Sequence, residues 1–213
     1  MATFYTLHPE TPQQRTVETI GQRLRQGAVM LYPTDTVYAI GCDLNDKSAV
    51  QRVRQLKQLS NNKPLTFLCS SLSNIAEYAV VADNAYRLMR RLIPGPYTFL
   101  LPATKQVPKL VMDPKRKTPG IRVPDRPICQ HLLTALGNPI ISTSAHLPDQ
   151  DEFDTIEKAE LFDRFDKLVD MIIDDDQDIG YQTSSIIDFT NRDPQVIRQG
   201  LGWETLEELM IGV

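Results

Sequence analysis

Short apolar runs alternate along this chain with amphipathic stretches, and none of the runs is longer than five residues. Runs of that length beside a proline or glycine have strand length, whereas stretches repeating apolar residues every three or four positions have helix length. Ala28-Val29-Met30-Leu31-Tyr32 is ended by Pro33. Val37 to Ile40 starts a second strand, with Gly41 after it, and Leu65 to Cys69 and Tyr97 to Leu101 follow. Ile121-Arg122-Val123 lies in a proline-bounded strand, and Ile140 to Ser142, Val169 to Ile173, Ser184 to Asp188 and Gln195 to Arg198 complete the set. Between them, Thr16 to Gln26 puts Val17, Ile20 and Leu24 on one helical face, with Gly27 as its stop. Lys47 to Gln58 carries Val50, Val53 and Leu56 behind an Asp46 cap. Asn84 to Leu92, Ile128 to Leu136 and the acidic Asp154 to Asp166 read as further helices. Such alternation predicts an α/β fold, with a mixed, twisted sheet flanked by helices. Neither an internal repeat nor a low-complexity linker divides residues 1–213, so one domain is expected.

No run approaches the roughly 18 apolar residues of a membrane helix, and the N-terminus lacks a basic-then-apolar leader, so a cytoplasmic protein is expected. Cys42, Cys69 and Cys129 are odd in number and widely spaced, which suggests neither a disulfide framework nor a zinc site. The net charge of −4 hides a strong asymmetry. Residues 51–126 hold 14 Lys/Arg against 4 Asp/Glu, and residues 127–213 hold 5 against 18. A basic block of that size attracts anions such as nucleotides, pyrophosphate or RNA, unless it simply faces the acidic tail within one fold.

Five stretches carry possible chemistry. In YPTDTVYAIGC, Thr34, Asp35 and Thr36 stand at the carboxyl end of a strand, where open α/β sheets hold ligands, although the same residues form self-capping turns. Lys57 and Lys63 flank a polar loop and could serve as point charges on phosphates or be ordinary surface lysines. Arg122, inside an apolar strand, needs a carboxylate or phosphate partner, from a ligand or from the fold. Ser142, Thr143 and Ser144 place three hydroxyls after a strand, followed by His146. Thr183, Ser184 and Ser185 open another strand, and Arg198-Gln199-Gly200 lies one strand later. The chain has no GxSxG elbow, Walker A sequence or GxGxxG fingerprint, so any ATP binds through another architecture.

Taken in order, YPTDTVYAIGC, PGPYTF, GIRVPDRP, STSA, SSIID and IRQG resemble the YrdC-like family, the threonylcarbamoyl-AMP synthases, from about Thr16 to Gly200. The resemblance implies a single YrdC-like α/β domain around a mixed, twisted sheet with a large, basic, concave cavity. It also implies a nucleotidyltransferase that combines L-threonine, bicarbonate and ATP, with Mg²⁺, into threonylcarbamoyl-AMP and pyrophosphate, the first step of a tRNA modification. On this likeness Thr34, Arg122, Ser142 and Ser185 hold threonine, and Lys57, Lys63, Thr118, Ser144 and Arg198 hold ATP. Lys57, Arg122 and Ser144 are then the catalytic group, and no protein metal ligand is implied.

The chain departs from the family pattern at two points. Lys57-Gln58-Leu59 replaces Lys-x-Arg, and Ser144-Ala145-His146 replaces Ser-x-Asn, an altered signature similar to the YciO-type paralogue branch. Asp35 for the commoner Glu is conservative. Three functions therefore remain open: the synthase itself, an adenylating paralogue with another substrate, and a module that binds tRNA or double-stranded RNA without turnover. Within residues 51–126 only Phe67, Tyr78, Tyr86, Tyr97 and Phe99 are aromatic, a poor platform for stacking single strands.

Overall fold

In a computed structural model the described residues are 1–60, 63–146, 156–178, 180–191 and 193–211, and they form ten strands and seven helices. The order is β1 (Thr3–Thr6), α1 (Gln14–Arg25), β2 (Met30–Tyr32), β3 (Ala39–Asp43), α2 (Lys47–Leu56), β4 (Thr66–Leu68), α3 (Leu72–Tyr78), α4 (Asp83–Leu92) and β5 (Tyr97–Leu100). It continues with β6 (Gly120–Arg122), α5 (Pro127–Leu136), β7 (Ile140–Ser144), α6 (Lys158–Phe165), β8 (Met171–Asp174), β9 (Ser185–Asp188), β10 (Gln195–Arg198) and α7 (Trp203–Ile211). The helix ends follow local chemistry. The Asp46 carboxylate accepts from the Ala49 N–H at 2.8 Å, and Gly137 closes α5 at φ +77°.

All ten strands join one mixed sheet in the order β1-β8-β2-β3-β7-β4-β6-β5-β9-β10. Pairs β1/β8, β2/β8, β4/β6 and β5/β9 are parallel, and the other five are antiparallel. Alternation along the strands splits the core into two layers. Leu31, Ile141 and Ile172 pack with side chains from α2, α3, α4, α6 and α7, which cover one face. Met30, Tyr32, Ile140, Met171 and Ile173 pack with α1 and α5 on the other. Among the described residues that second layer draws nothing from β5, β6, β9 or β10, so part of the sheet has a face that no described helix covers.

Gly41 lies within β3 rather than after it. A Cβ there would stand 2.6 Å from the Tyr32 ring and 2.8 Å from the Ile141 carbonyl oxygen, so only glycine lets the strand run beneath that ring. The acidic helix is shorter than its composition suggested, α6 spanning Lys158–Phe165, and residues 154 and 155 of that expectation lie outside the described residues. The charge asymmetry is partly internal: Arg52–Asp170, Arg116–Asp188 and Arg126–Asp175 each join the basic block to the acidic tail. Among the described residues no helix is long and apolar enough to cross a membrane.

Candidate active site

The uncovered part of the sheet bears a cavity of about 370 Å³, within the size range of small-molecule sites. Strand register builds its floor. Ser142 lies opposite both Gly41 and Thr66, Leu68 opposite Arg122, and Ile186 opposite both Thr98 and Arg198. Two segments raise the walls: residues 34–37, between β2 and β3, and Lys57, Leu59 and residues 63–65, between α2 and β4.

At the first wall, Arg122 is fixed before any ligand arrives. Its Nη2 donates to Asp35 Oδ1 at 2.5 Å, Nη1 to Thr36 Oγ1 at 2.9 Å and Nε to the Gly95 carbonyl at 3.3 Å. The Arg122 and Asp35 side chains are only 6% and 9% exposed, and Asp35 Oδ2 accepts from the Asp125 N–H at 3.0 Å. A guanidinium has five N–H groups, so two still lack an acceptor among the described residues. Thr34 Oγ1 donates to the Val37 carbonyl at 2.7 Å and lies 3.0 Å from Thr36 Oγ1, which locks the turn. The fold thus supplies the carboxylate partner that Arg122 needs, while the arginine also lines the cavity.

At the opposite wall, Lys57 Nζ reaches the carbonyl of Ser144 at 2.9 Å and that of His146, tying α2 to the end of β7. Arg198 Nε donates to the Ser184 carbonyl at 2.9 Å, and the Ser184 hydroxyl lies 2.8 Å from Thr98 Oγ1. Lys63 is exposed on the rim, and Leu59 and His146 also line the cavity. Four cationic side chains, Lys57, Lys63, Arg122 and Arg198, therefore line one space, and no described lining residue is Asp or Glu. A cavity of that composition concentrates anions.

Seven residues expected from the sequence share this cavity: Thr34, Lys57, Lys63, Arg122, Ser142, Ser144 and Arg198. Two do not line it. Thr118 is buried ahead of β6, where its carbonyl accepts from the Asp113 N–H at 3.0 Å. Ser185 points the other way; its hydroxyl donates to the Leu201 carbonyl at 3.1 Å and accepts from the Gly200 N–H at 3.0 Å. Thr36 and Ser184, named in the motifs but given no ligand role, also line the cavity, and Thr66 and Thr98 line it without having been singled out. Strand alternation was the signal for Ser184, because Ile187 belongs to the core layer on the opposite face and places Ser185 there with it.

No other described chemistry competes with this site. The three cysteines are buried and unpaired with one another, and burial pushes each thiol up, away from the reactive thiolate. Among the described residues no group of three or more His, Cys, Asp or Glu is placed to hold a metal. Hydroxyls alone are weak ligands for a hard cation, so Mg²⁺ fits this cavity only as the companion of a phosphate chain.

Comparison with known proteins agrees with this geometry. The Sua5/YciO/YrdC family model, described as telomere recombination, matches residues 22–200. The uncharacterized protein YciO of Escherichia coli is 43% identical over 202 residues, covering 95% of this chain and 97% of that one. A threonylcarbamoyl-AMP synthase of Vibrio vulnificus is 30% identical over 187 residues, covering 86% and 98%. The crystal structure of E. coli YciO superposes with a TM-score of 0.88 at 42% identity, covering 95% and 97%. P. abyssi Sua5 complexed with L-threonine also gives a TM-score of 0.88, at 25% identity, covering 98% of this chain and 61% of that one.

Proposed function

The chain belongs to the Sua5/YciO/YrdC family, and from that premise we propose that it is a threonylcarbamoyl-AMP synthase-type nucleotidyltransferase acting on Mg·ATP, bicarbonate and L-threonine. The observation that carries the reading is the cavity with four cationic side chains and no carboxylate among its described lining residues, in which one cation, Arg122, is already held by Asp35. The amino acid carboxylate takes the two remaining N–H groups of Arg122, and Thr34 and Ser142 orient the rest of the molecule. Its amine and bicarbonate give a carbamate and water. A carbamate oxygen then attacks the α-phosphorus, the bond to the bridging oxygen breaks, and pyrophosphate leaves with the electron pair.

Lys57, Lys63 and Arg198, the other cations of the cavity, are assigned to the charge that accumulates on the departing pyrophosphate, and Ser144 adds a hydroxyl. Catalysis of this kind is positioning plus stabilisation of charge on oxygen. Leu59 and His146 line the same cavity in place of the family's Arg and Asn, so turnover is expected to be slow relative to a full-signature synthase, or directed to another acid.

The test is incubation of the purified chain with ATP, Mg²⁺, bicarbonate and L-threonine, following pyrophosphate and the adenylate. Product that requires both threonine and bicarbonate supports the synthase. Adenylate formed only with a different acid supports the paralogue. Arg122→Ala should abolish threonine binding and spare ATP, and Lys57→Ala should do the reverse; wild-type binding of both ligands by both variants refutes the site.

A second reading, that of a tRNA or double-stranded RNA surface, draws on the excursion between β5 and β6. Lys105, Lys109, Lys115, Arg116 and Lys117 are all exposed there, and the single intervening acid, Asp113, accepts from the Lys115 and Arg116 backbone N–H groups. Binding through phosphates falls steeply with salt, and an affinity indifferent to salt would reject it.

A further inference from the structure

Arg54 is a cation that no motif of the chain marks out. It lies on the buried side of α2, only 4% exposed, and among the described residues no carboxylate pairs with it. A guanidinium kept from water normally answers to a carboxylate or phosphate. Here it answers to three backbone carbonyls. Nη1 donates to Ser60 at 2.8 Å, Nη2 to Lys63 at 2.7 Å, and Nη2 and Nε both reach Leu110, at 2.8 and 3.1 Å.

Those carbonyls show what the fork does. Ser60 and Lys63 lie between α2 and β4, and Leu110 belongs to the excursion between β5 and β6. The same loop puts Lys57, Leu59 and Lys63 on the cavity wall. Its far end is fastened to the excursion again by the Leu65 N–H donating to the Val111 carbonyl at 2.9 Å. The wall therefore has its shape from two clamps onto the excursion, and the one nearer the lysines is a single side chain. Lysine could not replace it, since one ammonium nitrogen cannot reach three carbonyls aligned with a planar fork.

We propose that Arg54 is the positioning residue of the nucleotide end: its guanidinium holds the Ser60 and Lys63 carbonyls, and with them the described wall residues that follow α2, so that Lys57 and Lys63 converge on the phosphates. The assignment rests on the reading that this end takes Mg·ATP. It gives the lost arginine at position 59 a physical counterpart. The wall has Leu59 where a phosphate fork would stand, and the fork that α2 supplies five residues earlier faces inward, holding carbonyls instead of phosphate.

The test uses the full chain with Arg54→Lys and Arg54→Met. Dissociation constants for Mg·ATP and for L-threonine are measured by calorimetry, each ligand alone, and amide hydrogen exchange is followed along the chain. Expected is a loss of about ten-fold or more in Mg·ATP affinity, as for charged hydrogen bonds removed, with threonine affinity unchanged. Exchange should quicken over residues 57–65 and stay unchanged over residues 32–42. Variants that lose both ligands equally, or that bind Mg·ATP as the wild type does with unaltered loop exchange, overturn the proposal. Should the wild-type chain itself fail to bind Mg·ATP, the nucleotide reading falls, and exchange in the loop then decides by itself whether Arg54 sets it. Where Arg54→Met does not fold, Arg54→Lys, which keeps the charge and the stem, supplies the comparison.

Discussion

Replacing Asp35 by Asn tests the best-defined contact of the site, because it changes the charge and hardly the shape. In the native chain Asp35 Oδ1 accepts from Arg122 and Oδ2 from the Asp125 N–H. Asparagine has only one acceptor oxygen. Whichever way its amide turns, an N–H faces another donor, either the guanidinium or the backbone N–H. With the Arg122 and Asp35 side chains 6% and 9% exposed, solvent does little to relieve this. Breaking a buried pair by removing one partner costs about 3–5 kcal/mol. For a chain of this size each kcal/mol is worth about 2–4 °C, so the melting temperature should fall by about 6–20 °C. Thermal melts and urea titrations measure the loss. A double cycle with Arg122→Met separates the pair from its surroundings, since the doubly substituted chain should be less destabilised than the sum of the single changes. An Asp35→Asn chain melting within about 2 °C of wild type, or a cycle with no coupling, would mean that the pair does not hold Arg122 in place.

Three further outcomes follow from named contacts. Gly41→Ala places a methyl 2.6 Å from the Tyr32 ring and should destabilise by about 1–3 kcal/mol, as overpacking does; an unchanged urea midpoint contradicts that packing. At Asp170 desolvation raises the pKa, but bonds from Arg52 and from the Val29 N–H outweigh it and hold the carboxyl below its ordinary value. Its stabilisation is therefore present above the unfolded pKa of about 3.9 and is lost as pH falls through the lower folded value. Stability profiles of wild type and Asp170→Asn should converge in acid and separate towards neutrality, and parallel profiles would refute this. Gly180→Ala would put a Cβ 1.7 Å from the Thr36 carbonyl oxygen, so the chain there must move off the turn that meets Arg122. Threonine affinity, read by calorimetry, should fall, and wild-type affinity would show that the contact does not matter to the site.

The strand order of the middle of the chain could not be read from the sequence, but its elements could, because each buries several residues at regular spacing. The elements that escaped reading bury few. Along α3 the buried residue is Ile75, and along the described side chains of α7 it is Leu206, too little for an amphipathic pattern. Strand β1 is mostly exposed, with Phe4 at 51%, and pairs with β8 more than 160 residues away. The site was legible where motif and strand end coincide, as at Thr34, Ser142 and Arg122. Between Ser184 and Ser185 the parity of the strand was the only guide, and the site was not legible where a side chain acts through carbonyls alone, as at Arg54. A contact to a backbone carbonyl leaves no trace in the identity of the residue that supplies it.

The uneven cover of the sheet has a bearing on how such a protein changes over time. On strands that lie over the cavity, odd and even positions answer to different demands. Phe67 and Ile121 face the wholly covered layer, and their replacement is felt by the whole fold. Their neighbours Thr66 and Thr98 face the cavity, where a change alters what is held more than whether the chain folds, whereas Leu68 and Arg122 line the cavity and are also buried in the fold. Specificity and stability are thus written in alternate letters of the same short words. A lineage can exchange one ligand for another here by editing every second residue, without repacking the layer of five helices behind the sheet.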